Sequence, residues 1–159
     1  ELKIIQFLDF ESTEVPRGEH LIYKYMQKHP TEVFLQTRYF PQDDKSMLIT
    51  IYVECANRQK KFRPFTALLF ERYFQWVGLS GVTPILKTIA GDAGLDMAEL
   101  KVCVKSLDVT TTVMVDRIYG ESLFVRTTPS YFLNGKSVVG VDALEKALQV
   151  WDDTLTQDE

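Results

Sequence analysis

Ser12-Thr13-Glu14-Val15 stands where a strand-like run gives way to a helical one. A nucleophile at the start of a helix meets unpaired N–H groups and the positive end of the dipole, which lower the pKa of a thiol. Ser12 brings a hydroxyl instead, and a serine hydroxyl is not appreciably ionised at neutral pH. The nearest candidate base, His20, lies eight residues on. That is about 12 Å of helical rise, beyond hydrogen-bond reach. The only sulfur nucleophiles are Cys55 and Cys103, far apart in sequence. With His20 and His29 as the only histidines, a structural zinc site is not expected, nor is any other metal or cofactor. The cysteines are either two buried thiols or one bond closing a long loop, which would contribute about 4 kcal/mol in the chain-entropy description. Asp43-Asp44 and Asp152-Asp153 read as helix-end and tail charges rather than catalytic pairs, and no glycine-rich phosphate loop occurs.

The 159 residues carry a net charge of −4, with 45% hydrophobic and 25% charged side chains. Nucleic-acid binding wants a concentrated basic footprint. The one basic cluster, Arg58, Lys60, Lys61 and Arg63, reads as a solvated helix end. No apolar run approaches the length of a membrane span. The sequence opens on Glu1 inside strand-like residues, without an initiator methionine, and reads as a mature or trimmed form.

The elements that would position these residues follow from periodicity. Leu2–Phe10 is a buried strand, Pro16–His29 a helix with apolar residues three and four apart, and Glu32–Phe40 a second strand. This βαβ order implies parallel pairing. The middle is helical. Phe62, Phe65, Leu69, Tyr73 and Trp76 share a stripe that is mostly core, and residues 83–94 form a short helix between Pro and Gly. Asp96 with Glu99 makes a capping-box pattern. Residues 47–59 are ambiguous, with β-branched residues favouring strand and Leu48, Tyr52, Cys55 and Ala56 fitting a helical face; helix is preferred. After Tyr119-Gly120 strand signals return. Asn134-Gly135 marks a hairpin turn, and Asp142 is expected to cap a closing helix ending near Trp151. Residues 1–153 thus form a single domain with a helical insertion of about four helices at about 42–120, and 154–159 are a flexible acidic tail.

This β-α-β … β-β-α order is similar to the thioredoxin fold with a helical insertion. At residue level the chain resembles the DsbA-like thiol–disulfide oxidoreductases over nearly its whole length. "FLDFES" matches the segment that leads into Cys-x-x-Cys, and "ECANRQKKFRPFTALLFE" matches a helical segment with a Cys-Ala pair. "AGLDMAELKVCV" and "LFVRTTPSYFLNGKSVVG" match the family's second-cysteine helix and its proline loop and hairpin. The resemblance implies an α/β fold, a cis bond before Pro129, and a Thr127-Thr128-Pro129 loop offering backbone groups to an extended peptide. Thr127 replaces the usual glycine. The resemblance also implies a structural disulfide between Cys55 and Cys103, and with it an extracytoplasmic (periplasmic or secreted) location.

In this alignment Ser12 takes the nucleophile's place, Val15 the resolving position and Gln6 the buried acid. Exchange needs a thiolate and a second sulfur, so either change alone stops the cycle and no catalytic residue is expected. The chain reads as a redox-inactive relative that binds a polypeptide or protein partner at Thr127, Thr128, Pro129, Ser12 and Thr13, beside an aromatic helix face. Two readings stand beside it. Kappa-class glutathione transferases and related isomerases carry a serine at this place, although Glu14 would repel acidic glutathione. A laboratory Cys→Ser exchange in an active oxidoreductase would also leave Ser12, although Val15 and Gln6 argue for natural divergence.

Overall fold

A computed structural model describes residues 1–157. They form two compact units, one made of Glu1–Phe40 and the segment from Tyr119 onward, the other of Pro41–Ile118.

The first unit is built on a four-stranded sheet of order β2-β1-β3-β4. Strands β1 (Leu2–Leu8) and β2 (Val33–Tyr39) run parallel, joined by helix α1 (Val15–Lys28). β3 (Ser130–Leu133) lies antiparallel to β1, with Phe7 opposite Ser130, and pairs with β4 (Lys136–Val139). Asn134 and Gly135 join β3 to β4 with φ of 47° and 84°. Positive φ at both positions is what a tight two-residue hairpin requires. On one face of the sheet Leu2, Ile4, Tyr131 and Leu133 pack with Ile22 and Tyr25 of α1 and with Leu144 and Leu148 of α8 (Val141–Gln157). On the other face Phe7, Phe40 and Val125 form a smaller core.

Helix α8 begins at Val141, one residue before the expected cap, with Asp142 in its first turn bonded to Arg17 at 2.6 Å. It runs to Gln157 rather than ending near Trp151, so residues 154–157 of the expected tail are helical. The remainder of that tail, Asp158 and Glu159, lies outside the described residues. The extension has a local cause. Asp152 accepts hydrogen bonds from the Tyr25 hydroxyl at 2.7 Å and Lys28 at 2.8 Å, and meets His29 Nε2 at 2.9 Å. Trp151 stacks edge-on against Tyr25 and His29. Burial pushes the Asp152 carboxyl up, but its bonds to Lys28, Tyr25 and His29 outweigh that and hold it below the usual carboxylate range. A carboxyl with a depressed folded pKa stabilises the fold above its unfolded pKa, and that contribution fades as pH falls through the folded value. Melting temperature measured from about pH 5 down to pH 2 should therefore fall less steeply in Asp152→Asn than in the parent. Parallel acid limbs would remove this assignment.

The second unit is helical: α2 (Asp44–Arg58), α3 (Phe62–Glu71), α4 (Tyr73–Trp76), α5 (Thr83–Asp92) and α6 (Met97–Cys103), with the first part of α7 (Leu107–Ser122). The ambiguous 47–59 stretch is helix. Asp43 caps it by accepting from Ser46 N at 2.7 Å, and Tyr52, Cys55 and Ala56, three and four residues apart, are buried along with Val53 and Glu54 between them. The aromatic stretch divides at Arg72 into α3 and α4. Phe65, Leu69 and Trp76 of its stripe are buried, so they are core of this unit and present no aromatic surface. Six helices lie between β2 and β3 rather than the expected four or so, because of that division and because of α7. Seven of the sixteen residues of α7 are Val, Ile or Thr, which weaken a local helix signal. Val109, Val113 and Asp116 are nonetheless buried at helical spacing.

Candidate functional site

The site lies in the first unit, where the end of β1 meets the start of β3. Beyond Leu8 the chain turns. Asp9 Oδ1 accepts from Glu11 N at 2.9 Å, and the Asp9 carbonyl accepts from Ser12 N at 3.0 Å. The Ser12 carbonyl accepts in turn from Val15 N at 3.2 Å. Helix α1 starts at Val15 with Pro16 in its first turn, and Glu14 stands at the cap without a side-chain bond. Helix α1 thus starts one residue before the expected Pro16, and residues 12–14 lie outside it. Pro16 suits a first helical turn, and the Asp9 bonds hold the preceding residues in a tight bend.

The opposite wall is the loop between α7 and β3. The Thr128-Pro129 peptide is cis. The Ser12 hydroxyl donates to the Thr128 carbonyl at 2.9 Å, across 116 residues of sequence. The neighbouring carbonyls are also held: Ser130 Oγ donates to Thr127 O at 2.6 Å and Gly140 N to Pro129 O at 3.0 Å. Thr13 and Thr127 are exposed, Ser12 and Thr128 half-buried, Val15 and Pro129 buried. Thr127 N donates to no backbone carbonyl among the described residues.

Beneath this junction Gln6 is fully buried. Its amide nitrogen donates to Glu19 Oε1 and to Thr37 Oγ1, each at 2.7 Å, while its Oε1 has no partner among the described residues. Glu19 and Thr37 were not singled out in the sequence. The available signal was the place of Glu19 four residues after Val15, on one face of α1. An amide at residue 6 can donate to that carboxylate, whereas an ionised acid there would repel it.

α1 approaches β3 closely at Gly18, where a Cβ would strike the Tyr131 hydroxyl. Tyr131 is completely buried and its hydroxyl has no partner among the described residues. Burial and the Glu19 charge raise its pKa, so it stays a neutral phenol.

Other sequence candidates fall elsewhere. His20 is exposed, and the Ser12 proton goes to Thr128 rather than to it. Asp43 is a helix cap and Asp152 a tie between α1 and α8. Arg58 holds Glu54 and Asp108 at the end of α2. Cys55 and Cys103 are joined in a disulfide within the second unit. Among the described residues no helix is long and apolar enough to cross a membrane.

The sequence matches the family model described as DSBA-like thioredoxin domain over residues 34–150. No curated protein sequence matches. Among solved structures, α-DsbA1 of Wolbachia pipientis is similar at a TM-score of 0.78 and 16% identity, with 99% of this chain and 89% of that one covered. A thioredoxin-like oxidoreductase from Silicibacter pomeroyi gives 0.72 at 21% identity, covering 94% and 87%. Oxidised BdbD of Bacillus subtilis gives 0.75 at 18% identity, covering 93% and 85%. At these identities the likeness concerns the fold.

Proposed function

This chain belongs to the DSBA-like thioredoxin domain family, and from that premise we propose that it holds extended polypeptide at the cis-proline loop without exchanging electrons with it. The observation that carries the reading is the Ser12 hydroxyl bonded to the Thr128 carbonyl. Disulfide exchange needs a thiolate to attack and a second sulfur to resolve. Ser12 and Val15 supply neither, and both cysteines are already bonded to each other. A redox pair is therefore lacking where the family would carry one, while the loop geometry beside it persists.

A peptide laid along Arg126 and Thr127 meets the Thr127 amide, which donates to no backbone carbonyl among the described residues, near Ser12 and Thr13. Main-chain bonding of this kind accepts many sequences. Glutathione is the weaker reading. A serine that stabilises a thiolate must donate to it, and this hydroxyl proton is directed at Thr128 instead. The Cys55–Cys103 bond supports an oxidising, extracytoplasmic compartment.

The test is titration of a fluorescently labelled, reduced and carboxymethylated polypeptide by anisotropy, beside an insulin-reduction assay. Saturable binding is expected, weakened about tenfold by Thr127→Glu, which places bulk and charge where the peptide backbone would lie. Insulin reduction should run at the rate of dithiothreitol alone, and millimolar glutathione should not compete. Acceleration above that rate, or binding indifferent to Thr127→Glu, overturns the proposal.

A further inference from the structure

Helices α2, α5 and α6 of the second unit line a cavity of about 490 Å³. That lies within the roughly 300–1,000 Å³ of small-molecule sites. Its floor is apolar, made by Leu48 and Tyr52 of α2 with Leu100 and Val104 beside them, and Met97, 42% exposed, stands at one side. Around it stand Lys87, Lys101 and Lys105, all exposed, and no lining residue is acidic. In a chain with net charge −4 this is a local reversal of sign. Arg17, Lys28, Arg58 and Arg72 each hold a carboxylate. These three lysines have no ion-pair partner among the described residues.

Tyr52 supplies an independent sign. It is only 2% exposed, and its hydroxyl has no hydrogen-bond partner among the described residues. It is also not one of the fully enclosed unsatisfied atoms, and the residue lines the cavity. A buried tyrosine hydroxyl normally finds a partner.

We propose that this cavity binds a single-chain anionic amphiphile, a fatty-acid-like carboxylate whose hydrocarbon covers Leu48, Leu100 and Val104 and whose head meets the lysines. Hydrocarbon removed from water against the floor drives entry. The head forms charge-assisted hydrogen bonds with the exposed lysine ammonium groups. An acidic peptide would find the same charges, but the walls are helices, with no strand edge to extend.

The experiment is calorimetric titration of the full chain with dodecanoate and with methyl dodecanoate, below the concentration at which either aggregates. One-to-one binding of dodecanoate is expected, weakened about tenfold in K101Q/K105Q. The ester should bind about tenfold more weakly than the acid and be indifferent to those substitutions. Y52F should lose about threefold. Both lysines are exposed, and unchanged circular dichroism melting would show the double variant folded. Absence of saturable dodecanoate binding, equal binding of acid and ester, or an unaltered K101Q/K105Q overturns the proposal. So does capture of an acidic helical peptide by a chain that ignores dodecanoate.

Discussion

Replacing Cys55 and Cys103 together by alanine is expected to lower the free energy of unfolding by about 4 kcal/mol. The bond joins α2 to α6 across 48 residues of sequence, between the loop lengths for which the chain-entropy relation gives about 3 and about 4.7 kcal/mol. Cys55 is fully buried, so truncation also removes packing inside the second unit. For a chain of this size the melting temperature should fall by about 8–16 °C. Denaturant titrations of the parent, the double variant and the parent in strong reductant measure the effect. Reduced parent and double variant should melt close together. A loss below about 1 kcal/mol would mean that the unfolded chain is already constrained, or that the native bond is strained enough to cancel its benefit.

The second large effect is expected at Gly18. Gly18→Val drives a branched side chain into the Tyr131 hydroxyl and toward Val141 Cγ2, which already stands 3.2 Å from an ideal Cβ. Overpacking of this kind costs about 1–3 kcal/mol and occasionally more. A β-branched residue also recovers little of the helix propensity that alanine would. A loss of about 3 kcal/mol is expected. The functional consequence follows from the same contact. Tyr131 lies two residues beyond Pro129 and Gly18 three beyond Val15. Lifting α1 from β3 therefore separates Ser12 from Thr128 and should weaken polypeptide binding as well. Tyr131→Phe tests the cause. Its hydroxyl lacks a partner among the described residues, so its removal alone should be neutral or mildly stabilising. Because the nearest atom to the added Cβ is that oxygen, Gly18→Ala should cost about 1–2 kcal/mol less in the Tyr131→Phe background. Additive effects in this double-mutant cycle would show that the helix, not the phenol, opposes a side chain at 18.

The parts of this protein readable from sequence were those whose signals are local. Alternation and apolar spacing mark β1, α1 and β2, since side-chain direction in strands and helices repeats over a few residues. Asn134-Gly135 announces its turn because few residue pairs accept positive φ twice. That sulfur is missing at residues 12 and 15, and that Pro129 belongs to a loop beside them, is implied by the family resemblance of "FLDFES" and "LFVRTTPSYFLNGKSVVG". Helix α7 was obscured because its β-branched residues oppose a local helix signal that burial of Val109 and Val113 overrides. The start of α1 at Val15 and the extension of α8 to Gln157 depended on bonds from Asp9 and Asp152 to partners outside those helices. The meeting of Gln6 with Glu19, the turning of the Ser12 hydroxyl onto Thr128, and the ring of Lys87, Lys101 and Lys105 join residues from different elements. Sequence determined the strands, the turn and the absence of a thiol pair. Tertiary structure alone decided what each polar group faces, because hydrogen bonds and charge act over a few ångströms of space while the chain separates their partners by up to a hundred residues and more.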